Sequence, residues 1–167
     1  MAVLPIHDRA GNALVGFRFV AEEELPRLVV NLPMPASLVG VNCAAAVLLM
    51  FDSWRKQWEL PGGMRELGET ARQPAVRELR EETGLDLADL ILTGVAEFDL
   101  TKPARRELLA VYRAQLEVMP ELTVNDEALA FRWWSPSEPV GNDMSPLDVE
   151  IARRVARSPT IRGVAPQ

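Results

Sequence analysis

One cysteine, one histidine and one tyrosine occur in the 167 residues of this chain. Cys43, standing alone, cannot close an internal disulfide, which leaves a cytoplasmic location as the default expectation. A zinc site built from CxxC pairs or from several histidines is excluded on ligand supply alone. A Ser-His-Asp triad would have to recruit His7 from an N-terminal strand. Catalysis, where present, therefore runs on carboxylates, Arg, Lys, Tyr and metal ions. Long apolar runs are missing too. The longest, CAAAVLLMF at 43–51, is nine residues, too short to span a bilayer, so no membrane partner is expected. MAVLPIHDRAGNA shows no apolar segment of the kind a secretory signal needs. Net positive charge is also lacking. At −6, with a pI near 4.9, the chain should not bind nucleic acid non-specifically.

Ordinary folding capacity remains. Hydrophobic residues at 48% and charged residues at 25% suit one domain of this length with its own core. Two apolar runs, 3–7 and 13–20, flank DRAGN and read as a hairpin. Pro26, Pro33 and Pro35 make the following stretch a linker with at most an edge strand. LVGVNCAAAVLLMFD reads as one long buried strand, SWRK as a turn and QWEL as a short strand entering PGG. Thr70 and Gln73 form a capping-box pair for a helix running to Thr83, with Gly84 as its stop. LILTGVAEFDL and ELLAVYRAQLEV are strands joined by a TKPARR loop, FRWWS is a further strand, and Leu147, Ile151 and Val155 set a second amphipathic helix. The expected organisation is an N-terminal hairpin extension at 1–37, a domain at 38–157 and a flexible tail at 158–167. The expected class is α+β: a mixed sheet covered by helices. The extension is expected to pair two copies into a homodimer.

The charge pattern of the first helix stands out. Glu78, Glu81 and Glu82 share one sector about 100° wide, while Ala75, Val76 and Leu79 face the core. Like charges at i,i+4 cost a helix roughly 0.2–0.5 kcal/mol, and Arg77 and Arg80 offset only part of that. Clustered carboxylates are hard oxygen donors of the kind Mg²⁺ or Mn²⁺ takes. A solvated acidic face is the competing explanation.

The spacing is more specific. From Gly63 the chain reads Gly, five residues, Glu69, seven residues, Arg77-Glu78-Leu79, Arg80, Glu81-Glu82, Thr83, Gly84-Leu85. It resembles the Nudix box at every fixed position, a chance event on the order of 10⁻⁸. The resemblance implies the Nudix fold and a pyrophosphohydrolase that uses Mg²⁺ or Mn²⁺ to cleave a nucleoside diphosphate linked to a further group X, a small-molecule substrate. By motif, Glu78 and Glu82 are implied as metal ligands, Glu81 as completing the cluster and taking part in catalysis, and the Gly63 carbonyl as a neutral ligand. Glu69 and Arg77 are implied as the pair fixing the loop–helix junction. Many members add a carboxylate from a later loop, which Glu127 supplies here as ligand or general base, with Asp126 as fallback. Arg55, Lys102, Arg105, Arg106 and Asn142 are candidate substrate contacts, and Trp58, Phe98 and Trp133 candidate stacking rings. The proline that marks ADP-ribose hydrolases is replaced by Thr101, and the markers of dinucleoside polyphosphate, NADH and coenzyme A hydrolases are absent. A nucleoside triphosphate or modified dNTP is thereby favoured, with ADP-ribose, a nucleotide sugar, or a nucleotide sensor without turnover as alternatives. Isoprenyl diphosphate isomerase chemistry is disfavoured, because it needs metal-binding histidines beside its cysteine.

Overall fold

The structure is a computed structural model that describes residues 1–158. Among these residues nine strands form one mixed sheet, accompanied by three α-helices and a 3-10 turn at Glu22–Glu24. The strands are β1 (Ile6–His7), β2 (Ala13–Phe19), β3 (Ala36–Cys43), β4 (Ala46–Asp52), β5 (Trp58–Glu59), β6 (Gly62–Met64), β7 (Ile91–Thr101), β8 (Ala104–Leu116) and β9 (Ala128–Trp134). The helices are α1 (Leu25–Leu28), α2 (Arg72–Thr83) and α3 (Pro146–Ala156). The main path runs β1-β2-β7-β8-β3-β4-β5, with β6 pairing β3 and β9 pairing β4. Only β3 and β8 pair in parallel among the strand pairs of the described residues.

Alternation along the strands sends side chains to both faces, and a helix covers each. On one face Val47, Leu49 and Val111 pack against Leu147, Ile151 and Val155 of α3. On the other, Val39, Val41 and Leu48 pack with Ala75 and Leu79 of α2. The acidic helix is thus anchored by its apolar side, leaving Glu78 and Glu82 against the glycines of β6.

Several local expectations change. The stretch from Leu38 to Asp52 is a hairpin, not one strand, because Ala44 turns the chain at a φ of 50° and β4 folds back on β3. The supposed linker holds α1 and leads straight into β3 at Ala36. Helix α2 begins after Ala71, not Thr70. The Thr70 N–H donates to Gln73 Oε1 at 2.7 Å, which is half of the expected box. The helix stops as expected at Gly84, which takes a φ of 76° and donates to the Arg80 carbonyl at 2.8 Å. Arg105 and Arg106 lie within strand β8 rather than in a loop. The N-terminal hairpin forms, but β2 pairs with β7 of the same chain from Ala13 to Phe19. Its pairing therefore does not itself require a second subunit. Of the expected tail, residues 159–167 lie outside the described residues.

Candidate metal centre

Strand β6 and helix α2 build the site between them. Gly62 and Gly63 pair with Leu38 and Ser37 of β3, which brings the loop backbone against the helix. A Cβ on Gly62 would meet the Ser37 carbonyl at 2.2 Å, and its φ of 149° also suits glycine alone. A Cβ on Gly63 would sit 2.6 Å from Glu78 Cδ. The first glycine allows the sheet to close, and the second leaves room for a carboxylate.

Glu78, Glu82 and Glu127 each direct an oxygen into one small volume, all within 4.8 Å of one another. Glu127 arrives on the loop before β9, and Asn125 holds that loop in place. The Asn125 Nδ2 donates to the Glu82 carbonyl at 2.8 Å, and its Oδ1 accepts from the Glu127 and Ala128 N–H groups at 2.9 Å. Asn125 was not among the residues singled out from the sequence. An Asn two positions before an acid is a weak signal, legible only once the loop is seen against the end of α2.

The electrostatics of this trio are unbalanced. Glu82 is buried, and its carboxylate accepts from the Gly62 N–H at 2.8 Å. Burial pushes its carboxyl up to about 8; the Gly62 N–H acts against this, and the charges of Glu78, Glu127 and Glu59 add to it. Glu78 takes one cation, Arg77, on one oxygen. Oxygen donors crowded this closely, with so little positive charge near them, fit a hard divalent cation. Glu81 stands apart: half exposed and 3.7 Å from Arg77, it is outside the trio. Asp126 is exposed and outside it too.

Glu69 and Arg77 do pair across the loop–helix junction. Arg77 Nε and Nη2 donate to the two Glu69 oxygens at 3.0 Å, and Nη2 also donates to the Met64 carbonyl at 3.0 Å. The Arg77 hydrogen bond holds the Glu69 carboxyl below its usual range, and the Glu66 N–H adds to this. One guanidinium thereby ties β6, the loop and α2 into a single piece.

Beside the trio lies a cavity of about 350 Å³, which Gly62 lines. Arg55 lines it, with its guanidinium paired to Glu59 at 2.8 and 3.0 Å. Burial raises Glu59 to about 7, Asp148 adds to the rise, and Arg55 opposes it. Asp148 is itself raised by burial, against the pull of the Leu60 N–H. Phe98 is buried and lines the same cavity. The other candidate contacts fall elsewhere. Arg105 pairs with Glu107 at 2.9 Å, and Arg106 with Asp99 at 2.6 Å. Lys102 is exposed at the β7–β8 turn. Asn142 lines an adjoining cavity of about 580 Å³, which Arg55 also borders. Trp58 donates its indole N–H to Asp143 at 3.1 Å and packs edge-on to Phe51, while Trp133 packs against the core beneath α2. Among the described residues no helix is long and apolar enough to cross a membrane.

Comparison with known proteins places the chain in a family. The NUDIX domain pattern matches residues 35–156. A Mycobacterium tuberculosis relative, provisionally named mutator protein MutT4, is 32% identical over 103 residues, which is 61% of this chain and 42% of that protein. A Bacillus subtilis relative provisionally named an 8-oxo-dGTP diphosphatase is 28% identical over 101 residues, which is 60% of this chain and 65% of that protein. The matched stretches thus cover less than two thirds of either relative's own length. A crystal structure of the MutT NUDIX hydrolase from Burkholderia pseudomallei shares the fold at a TM-score of 0.62 and 21% identity, covering 74% of this chain and 97% of that one. With its box, its fold and the matched domain in agreement, the chain belongs to the Nudix hydrolase family, whose members act on phosphoric anhydride bonds.

Proposed function

We propose that this chain is a divalent-metal-dependent pyrophosphohydrolase acting on a nucleoside diphosphate linked to a group X, with a nucleoside triphosphate or modified dNTP as the favoured substrate. The observation that carries this reading is the trio Glu78, Glu82 and Glu127, its oxygens within 4.8 Å, set beside a cavity of about 350 Å³. The relative named for 8-oxo-dGTP supports the choice of triphosphate.

In this reading Glu78, Glu82 and Glu127 hold the cation, Mg²⁺ or Mn²⁺. When bound, it supplies charge neutralisation for the phosphate oxygens and acidifies a coordinated water. The protein's own part is placement. Gly63 keeps the approach to Glu78 open, and its carbonyl is the neutral ligand. Arg77 and Glu69 hold the loop against α2. Water oxygen adds to phosphorus, the anhydride P–O bond breaks, the bridging oxygen leaves with the departing phosphate group, and the water proton needs an acceptor. Glu127 is exposed, and its carboxylate has no hydrogen-bond partner among the described residues, so the oxygen it does not turn to the cation fills that role. Glu81, turned toward Arg77, supports the junction instead.

The test is turnover of a panel of dNTPs, 8-oxo-dGTP, ADP-ribose, NADH, diadenosine polyphosphates and nucleotide sugars with Mg²⁺, by the native protein and by Glu82→Gln. Cleavage lost by about 10²-fold or more in the variant is expected. Undiminished turnover by Glu82→Gln removes the assignment. Within this proposal the protein works in the cytoplasm. Light scattering on the full chain reads its oligomeric state, and a single-copy mass counts against the expected dimer.

A further inference from the structure

The matched domain begins at residue 35, yet the wall of the substrate cavity does not. Asp8 and Asn12, from the tip of the N-terminal hairpin, line it together with Glu59, Glu107 and Asp148. We propose that this hairpin tip is a specificity element, and that the cavity takes a nucleobase by an edge that donates N–H hydrogen bonds. The inference rests on the hydrolase reading above.

Three observations support it. First, the cavity adjoins the carboxylate trio. Gly62 lines it, and the same Gly62 N–H donates to Glu82 at 2.8 Å. A group filling the cavity therefore sits next to a phosphate chain at the trio. Second, acceptors dominate its polar surface. Carboxylates come from Asp8, Glu59, Glu107 and Asp148, against one lining cation, Arg55, which Glu59 already engages; Arg105 takes one Glu107 oxygen and leaves the other to accept. Such a wall repels a further phosphate and rewards donors. Leu38, Phe98 and Leu109 supply apolar faces between these carboxylates, as a flat ring requires. A base with N–H groups satisfies both surfaces, whereas an anionic X satisfies neither.

Third, the tip is held rigidly rather than draped over the opening. Asp8 Oδ1 accepts from the Ala10 and Asn12 N–H groups at 2.8 and 2.9 Å, and Oδ2 from Asn12 Nδ2 at 2.9 Å. Asn12 Oδ1 accepts from the Thr101 N–H at 3.1 Å, which ties the tip to the β7–β8 turn. Arg9 donates to the Asn142 carbonyl at 2.7 Å, which ties it to the loop before α3. Acceptors fixed in this way cost little to order when a base arrives. Asp8 and Glu107 are the residues assigned to touch the base, and Asn12 positions Asp8.

The experiment compares the native protein with Asp8→Asn and Glu107→Gln, the second lying outside the hairpin and so immune to its unfolding. Turnover is measured for the four common nucleoside triphosphates and for inorganic triphosphate, which has no base. Binding of the four nucleosides, without phosphate or metal, is followed separately by NMR. Each variant is expected to compress the ratio of kcat/KM between the best and worst nucleotide by about tenfold or more, and to leave triphosphate cleavage within about twofold. Unchanged base ratios in both variants overturn the inference while leaving the hydrolase reading intact. A native protein that cleaves no anhydride at all sinks the hydrolase reading instead. The nucleoside arm then decides alone: base-selective binding weakened by both variants supports the assignment, and base-blind or absent binding refutes it.

Discussion

Replacing Gly63 with alanine separates metal binding from folding. The added Cβ would meet Glu78 Cδ at 2.6 Å and Glu78 Cγ and Oε1 at 2.9 Å. Ordinary contact begins near 3.4 Å, so the carboxylate must retreat by about 0.8 Å. Metal–ligand distances tolerate about 0.2 Å, so Glu78 leaves the cluster. Disturbing what supports a ligand already weakens affinity about 10- to 100-fold, or roughly 1.4–2.7 kcal/mol, so displacing Glu78 itself should cost at least that. Gly63 has no positive φ, unlike Gly62 at 149°, so alanine adds no backbone strain and even restricts the unfolded chain slightly. The obstructing atoms are the end of a flexible side chain, so the fold yields easily. Calorimetry of Mg²⁺ binding and denaturant melts of the metal-free protein are the assays. Affinity should fall while metal-free stability stays within about 1 kcal/mol of the native value. Unchanged Mg²⁺ affinity in Gly63→Ala would refute the reasoning. Gly62→Ala is the contrasting control: with backbone only 2.2 Å away, it should destabilise the fold itself.

Three further outcomes are expected. In the metal-free protein Glu82 sits at about 8 against an ordinary 4.5, so its contribution to stability is fully present below pH 4.5 and is lost as pH climbs toward 8. That difference caps the loss at about 5 kcal/mol, and Mg²⁺, which favours the ionised form, should therefore raise the melting temperature more at pH 8 than at pH 5.5. Thermal melts across that range check it, and an Mg²⁺ effect that is flat or larger in acid contradicts it. Asn125→Ala frees the Glu127 loop from α2 and should weaken Mg²⁺ binding about tenfold with little change in the fold, read by the same calorimetry. Arg106→Ala, which breaks a pair with Asp99 away from the cavity, should leave KM for every nucleotide within about twofold; a large rise would return Arg106 to the substrate site.

The convergence of Glu78 and Glu82 beside Gly63 was legible because these residues are close in sequence. Glu78 and Glu82 are one helical turn apart, and Gly63 and Glu69 lie a fixed distance upstream, so sequence spacing is nearly spatial spacing. The helices α2 and α3 were legible for the same reason: their apolar periods and the Gly84 stop are written in consecutive residues. The hairpin between β3 and β4 was hidden because its turn is Ala44-Ala45, without the Gly, Asn or Asp that marks a turn. Arg105 and Arg106 looked like loop cations because charge dominates a short window, whereas the register with β7 sets them opposite Leu100 and Asp99. The cavity was the least legible part. Asp8, Glu59, Glu107 and Asp148 come from separate segments, and only the topology of the sheet brings them together. Glu59 and Asp148 carry no motif, so burial alone distinguishes them from surface acids.

A crystal soaked in Mn²⁺ and measured at the manganese absorption edge tests the central claim most directly. The expected result is an anomalous peak contacted by Glu78, Glu82 and Glu127, whose oxygens already converge within 4.8 Å. Manganese bound elsewhere, or not at all with those carboxylates facing solvent, would contradict the account.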